Sequence, residues 1–196
     1  MTVPGTFDPS ARELIHAGLQ NLDEARSLFR QLSASGFDAA RCGLLLDALQ
    51  HVCDPDVALR NLVDIVNAQV SQGRALDDIV PDDTAFRQLV AVLGVSDAMG
   101  KLMRFRPDLV QAAATDHCNS HLYNHDQRRA HVLESVGADP NDRMSPTATM
   151  DLADAATALR RTYRNQLAAI IAQDTMSDDP IALQPRISSE LSAAHC

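Results

Sequence analysis

Capping residues followed by apolar stripes at helical spacing run along this sequence, and they constrain its fold more than any other feature. Ser10 and Glu13 form an S-x-x-E box, in which each side chain satisfies an orphan backbone donor at the other position. Leu14, Ile15, Leu22, Ala25, Phe29 and Leu32 then fall on one stripe, so one helix is expected from residue 10 to the closing Ser35-Gly36 pair. Asp38 caps a second helix, with Leu45, Leu49 and Val52 facing inward. Asp54 followed by Pro55 places a cap and then a proline at the first helical position. The third helix carries Leu59, Leu62, Val63, Val66 and Val70 and stops at Gly73.

Beyond a turn-rich link at residues 74–83, a helix over 84–93 carries Phe86, Leu89, Val90 and Leu93, with Gly94 expected at its C′ position. Ser96 caps the next helix, which ends before Pro107 because a residue preceding proline resists helical angles. Pro107 starts a short helix to Ala114, and residues 115–125 are polar and His-rich. A helix over 126–136 precedes a loop containing Asp139-Pro140, Asn141-Asp142 and Ser145-Pro146. Leu152, Ala156, Leu159, Tyr163, Leu167, Ile170 and Ile171 then mark a long helix over 149–174. A proline-bounded link leads to a final helix start at Ile187.

No segment alternates with strand period, and no internal repeat is present. The fold class is therefore all-α: a bundle of about eight to ten helices without a sheet. Aromatics make up only 4% of residues and Trp is absent, so the core must be built from Leu, Ala, Val and Ile, which suits packed helices. Two helical subdomains are expected, 1–75 with three helices and 76–196 with the rest; 137–148 is a second possible boundary.

The formal net charge is -9, so the surface repels phosphate backbones and nucleic acid is not an expected partner. No apolar run approaches the roughly 20 residues that span a bilayer, and residues 1–9 lack the apolar core of a signal peptide. Cys42, Cys53, Cys118 and Cys196 are scattered and read as free thiols in a reducing cytoplasm.

Candidate chemistry is sparse. His117, His121 and His125 are spaced i, i+4, i+8 beside Cys118, a pattern that could bind zinc or nickel on a helix. Asn119, Ser120 and Asn124 interrupt such a helix, so the stretch reads as a solvent-exposed polar loop. Stoichiometric zinc in a dialysed sample would reverse that reading. Basic clusters lie at Lys101, Arg104 and Arg106, at Arg128-Arg129, and at Arg160, Arg161 and Arg164. Solvated faces or intramolecular ion pairs are their ordinary role; the last cluster, on a long helix, is the candidate interface. No G-x-S-x-G elbow or phosphate-binding glycine loop occurs, and Asp77-Asp78, Asp82-Asp83 and Asp178-Asp179 read as caps in turns.

Two stretches resemble a known family. Residues 93–107 read L-G-V-S-D-A-M-G-K-L-M-R-F-R-P, similar to an L-G-x-S-x-x-L-x-x-x-L-x-x-x-P segment of the bifunctional glutamine synthetase adenylyltransferase/adenylyl-removing enzymes. Residues 159–174 resemble that family's L-R-R-x-x-R-x-x-L-x-x-I-A-x-x-D helix, which precedes its first nucleotidyltransferase domain, and Asp54-Pro55-Asp56-Val57-Ala58-Leu59 resembles its D-P-D-x-A-L helix start. The actinobacterial branch is the most similar. The resemblance implies a parent enzyme that transfers AMP from ATP to a tyrosine of glutamine synthetase and removes it by phosphorolysis, under PII signal proteins and glutamine. It also implies ATP and two Mg²⁺ ions in the parent, held at G-G-x-x-L-N and S-D-x-D motifs.

Those motifs do not occur in this chain: it has no Gly-Gly pair, and Ser96-Asp97 is followed by Ala98-Met99. No catalytic, cofactor-binding or metal-binding residue carries over, and the chain alone is expected to be inactive. The helix opening at Ile187 would continue in the family, so a truncated segment leading into a missing nucleotidyltransferase domain is expected. The expected function is a helical scaffold or regulatory segment of that cytoplasmic enzyme. The alternatives are a freestanding all-α protein-interaction module and a metal or small-ligand sensor at the His stretch.

Overall fold

A computed structural model describes residues 7–75, 80, 82–114 and 125–175. They form nine helices and no strand, and the chain divides into two compact units, Met1–Thr115 and Asp116–Cys196. The division falls at 115/116 and not at the expected 75/76, for a physical reason. The helices on either side of residue 75 share one core.

That first unit contains α1 (Ala11–His16), α2 (Leu22–Ala34), α3 (Ala39–Leu49), α4 (Pro55–Ser71), α5 (Asp83–Val95), α6 (Asp97–Met103) and α7 (Pro107–Ala114). Helix α5 is its centre. Ala85, Phe86, Leu89, Val90, Ala91, Val92 and Leu93 are all buried, so it is apolar nearly all round, as an interior helix must be. Helices α3, α4, α6 and α7 pack around it. Phe29, Leu32, Leu45, Leu49, Leu59, Leu62 and Ile65 complete the core, each burial contributing about 1.5–3 kcal/mol. Ion pairs also cross the expected boundary: Arg87 to Asp47 at 3.1 Å, Arg41 to Asp83 at 3.5 Å and Arg104 to Asp64 at 3.5 Å.

The predicted caps at Ser10, Asp38, Asp54 and Ser96 each accept a backbone N–H as expected. Two expectations are corrected. The single helix from residue 10 is two helices, because Gly18 takes a positive φ of 80° and turns the chain. Asn21 then caps α2. The elbow is held from α4: both carboxylate oxygens of Asp56 accept backbone N–H groups, from Gln20 at 3.0 Å and Asn21 at 3.3 Å. Gly94 is the second correction. It does not terminate α5 but lies buried inside it, where a Cβ would meet Val52 Cβ at 2.9 Å and Asp54 O at 3.3 Å. The glycine permits close approach of the α3–α4 turn, and Ser96 ends α5 while capping α6.

The second unit contains α8 (His125–Ser135) and α9 (Leu152–Thr175), which pack on each other. One small core cluster is Val136, Ala138 and Ala155, with Leu133 and Ala158 partly buried, and Ala168, Ile170 and Ala172 of α9 are buried as well. The intervening loop is built by local hydrogen bonds. Arg129 donates to the carbonyls of Pro140 (3.0 Å) and Asp142 (2.9 Å), and Asp142 accepts from the N–H groups of Met144 (2.9 Å) and Ser145 (3.1 Å). Asp151 starts α9 by accepting from the N–H groups of Ala153 and Asp154.

The stripe expected on α9 is only partly inward. Ile170 is buried, but Leu152 is 88% exposed, Leu159 41% and Tyr163 36%. The side that meets the small core carries Ala155 and Ala158, because short alanine side chains let two helices approach closely.

Candidate functional site

Helix α9 carries the only predicted site residues, and its geometry sorts them. On a helix, Arg160 and Arg164 are one turn apart and share a side, whereas Arg161 lies about 100° further round. Arg160 and Arg161 are exposed and Arg164 is half-buried. The predicted arginine face is thus really two: a pair, Arg160 with Arg164, and Arg161 on another side. Leu152, Ala156, Leu159 and Tyr163 fall within about 60° of one another, and the Arg160–Arg164 pair runs along one edge of that strip.

The other sequence candidates are not brought together with this face. His117, Cys118 and His121 lie outside the described residues, and His125 is the first residue of α8. Among the described residues no group of three or more His, Cys, Asp or Glu side chains is placed to hold a metal ion. Asp97, the one acid following a serine as in an S-D pair, is engaged by Lys101 at 2.6 Å, and Ser96 is occupied in capping α6. These residues do not fit a magnesium centre. Cys42 and Cys53 are free thiols. Burial pushes the Cys42 thiol up, outweighing a hydrogen bond with Ser33, and nearby Asp38 pushes it the same way; that is the opposite of an activated nucleophile.

A cavity of about 480 Å³ opens between the starts of α3 and α5, lined by Phe37, Asp38, Arg41, Val66, Asp82 and Asp83 among others. Its polar groups serve the fold. Asp38 and Asp82 cap their helices, and the Arg41 guanidinium lies 4.3 Å from the Phe86 ring centre and 3.5 Å from Asp83.

The first resemblance block supplies mostly packing and caps, although Val95 and Phe105 are exposed. Leu93, Met99 and Met103 are buried; Gly94 and Gly100 admit close neighbours; Ser96 caps α6; and Pro107 opens α7. Comparison with curated proteins decides the family. A protein of Bifidobacterium longum named bifunctional glutamine synthetase adenylyltransferase/adenylyl-removing enzyme is 62% identical over 186 residues, covering 95% of this chain and 17% of its own length. Proteins of the same name from Corynebacterium efficiens and Leifsonia xyli are 33% identical over 168 residues and 28% over 184. The chain belongs to the glutamine synthetase adenylyltransferase/adenylyl-removing enzyme family.

No family model and no solved structure matches it. The chain spans about one sixth of the length of the curated relatives it matches (17% of the first). With 95% of this chain matched in the Bifidobacterium protein, helices of both units belong to the family likeness.

In the sequence, Asp56 is marked only by a resemblance block and Arg129 only by a basic cluster, and the contacts that either makes are not announced. Both act on backbone groups, Asp56 at a distance of 35 residues or more, and no local pattern announces that. Among the described residues, no helix is long and apolar enough to cross a membrane.

Proposed function

We propose that this chain is a non-catalytic helical scaffold and regulatory segment of a cytoplasmic enzyme that adenylylates and deadenylylates glutamine synthetase. One observation carries the reading. The chain is 62% identical over 95% of its length to a Bifidobacterium longum protein that bears the family's name, yet matches only 17% of it, and it carries neither a G-G-x-x-L-N nor an S-D-x-D motif. ATP and Mg²⁺ chemistry belongs, in this reading, to nucleotidyltransferase domains elsewhere in the longer protein. Glutamine synthetase and a PII signal protein are its partners.

Arg160, Arg161 and Arg164 are assigned to the interface with such a domain, with the Arg160–Arg164 side as its main contact. Arginine forks suit the carboxylates of a neighbouring element. The test is charge reversal, Arg160→Glu with Arg164→Glu, in the full-length enzyme. Deadenylylation of modified glutamine synthetase should fall while the melting temperature stays near that of the parent. Unchanged deadenylylation would remove the arginines from the account. A full-length protein with neither activity would favour the freestanding interaction module instead.

A further inference from the structure

The second unit leaves several large apolar side chains exposed. Met144, Met150, Leu152, Leu159 and Tyr163 all stand exposed, although Val136, Ala138, Ala155, Ala168, Ile170 and Ala172 of the same unit are buried. Of these, Leu152, Leu159 and Tyr163 are spaced i, i+7, i+11 and form one continuous strip with Ala156 along α9. The cluster that Val136 and Ala138 form with α9 draws on another side of that helix, Ala155 and Ala158.

We infer that this strip is a docking face for a part of the same longer polypeptide outside residues 1–196, with Leu159 and Tyr163 at its centre and Arg160 and Arg164 as its charged edge. The inference rests on the reading that this segment belongs to the longer enzyme. Size chooses the occupant. Three side chains of this kind, already partly covered, offer a few hundred Å² at most, since even a fully buried aromatic contributes about 150–250 Å². A stable complex between separate molecules buries about 1,200–2,000 Å² in total. A second copy would be held too weakly by this strip. A segment of the same chain is presented at an effective concentration in the millimolar range for short linkers, so a small apolar contact suffices. The relatives supply the chain for it, since the matched part is only 17% of the Bifidobacterium protein. The two arginines on one edge select an occupant with an apolar centre flanked by carboxylates.

The experiment places the photo-reactive amino acid p-benzoylphenylalanine at Leu159 in the full-length protein, with Asp154, exposed on another side of α9, as the control position. After irradiation, mass spectrometry should find cross-links from position 159 to peptides of the same polypeptide outside residues 1–196, several-fold above those from position 154. Cross-links into residues 1–114, to a second copy or to glutamine synthetase would overturn the inference. So would yields no greater at 159 than at 154. AMP transfer and removal are assayed on the same unmodified protein. Activity without the expected cross-links would sink the docking face alone, whereas loss of both activities would sink the parent-enzyme reading.

Discussion

Gly100 on α6 lies directly against the side-chain amide of Asn61 on α4, so that a Cβ at position 100 would fall on the amide itself. That amide is buried and donates to the carbonyl of Leu93 at 3.2 Å, joining three helices at one point. Gly100→Ala should therefore displace Asn61 and cost about 1–3 kcal/mol in urea unfolding. Asn61→Ala alone should cost a similar amount. The double variant should be less destabilised than the sum, since the alanine at 100 then has room. Strict additivity would show that the two residues do not act through this contact.

Asp56 closes the α1–α2 elbow by accepting two backbone N–H groups. Asp56→Ala should destabilise the first unit by about 0.5–1.5 kcal/mol, the modest figure reflecting the exposure of these bonds. Asp56→Asn keeps one acceptor oxygen and should lose less. Hydrogen exchange at Gln20 and Asn21 should accelerate in both. Unaltered exchange at those two amides would contradict the clamp.

Asp142 gives the loop between α8 and α9 a pH dependence. The backbone N–H groups of Ser145 and Met144, with the Arg129 charge nearby, hold its carboxyl below the ordinary value of 3.8. A lowered folded-state pKa means the unfolded chain takes up the proton first. The loop is thus fully stabilised above the ordinary value and loses that contribution as pH falls through the lowered one. In an NMR titration, the Asp142 carboxyl should show its midpoint below 3.8, and Asp142→Asn should flatten the pH dependence of the Met144 and Ser145 amide shifts. A midpoint at or above the ordinary value would contradict this loop structure.

The two described cysteines should behave oppositely towards a thiol reagent. Cys53 is exposed and should be modified within the mixing time scale of ordinary labelling. Cys42 is fully buried with its thiol pushed up, so it should be modified only after unfolding. Peptide mapping of native protein that finds Cys42 labelled as fast as Cys53 would show the α3 core to be open.

Where the sequence was informative, the physics was local. Ser10, Asp38, Asp54 and Ser96 announce their helices because a cap bonds to backbone only a few residues away. Gly18 and Gly94 were harder. One is a break and the other a close contact, and the difference depends on what lies opposite: Pro55 near Gly18, and Val52 and Asp54 against Gly94. The α9 stripe shows the same limit. Its period predicts a helix and an apolar face, but Ala155 and Ala158 were the side that met the unit's small core. Leu152 and Leu159 look like core in the sequence and are surface in this chain. Arg160 and Arg164 were legible as a pair by their spacing; that Arg161 faces elsewhere follows from the same helical rule.

The central claim is that this family segment supplies architecture and leaves the chemistry to other parts of the longer enzyme. The most direct measurement is transfer of labelled AMP from ATP to glutamine synthetase, and its phosphorolytic removal, by the purified 196-residue chain beside the full-length protein under identical magnesium and ATP. The account predicts turnover in both directions by the full-length protein and none above background by this chain. Measurable turnover by this chain alone, abolished by no contaminant control, would contradict it.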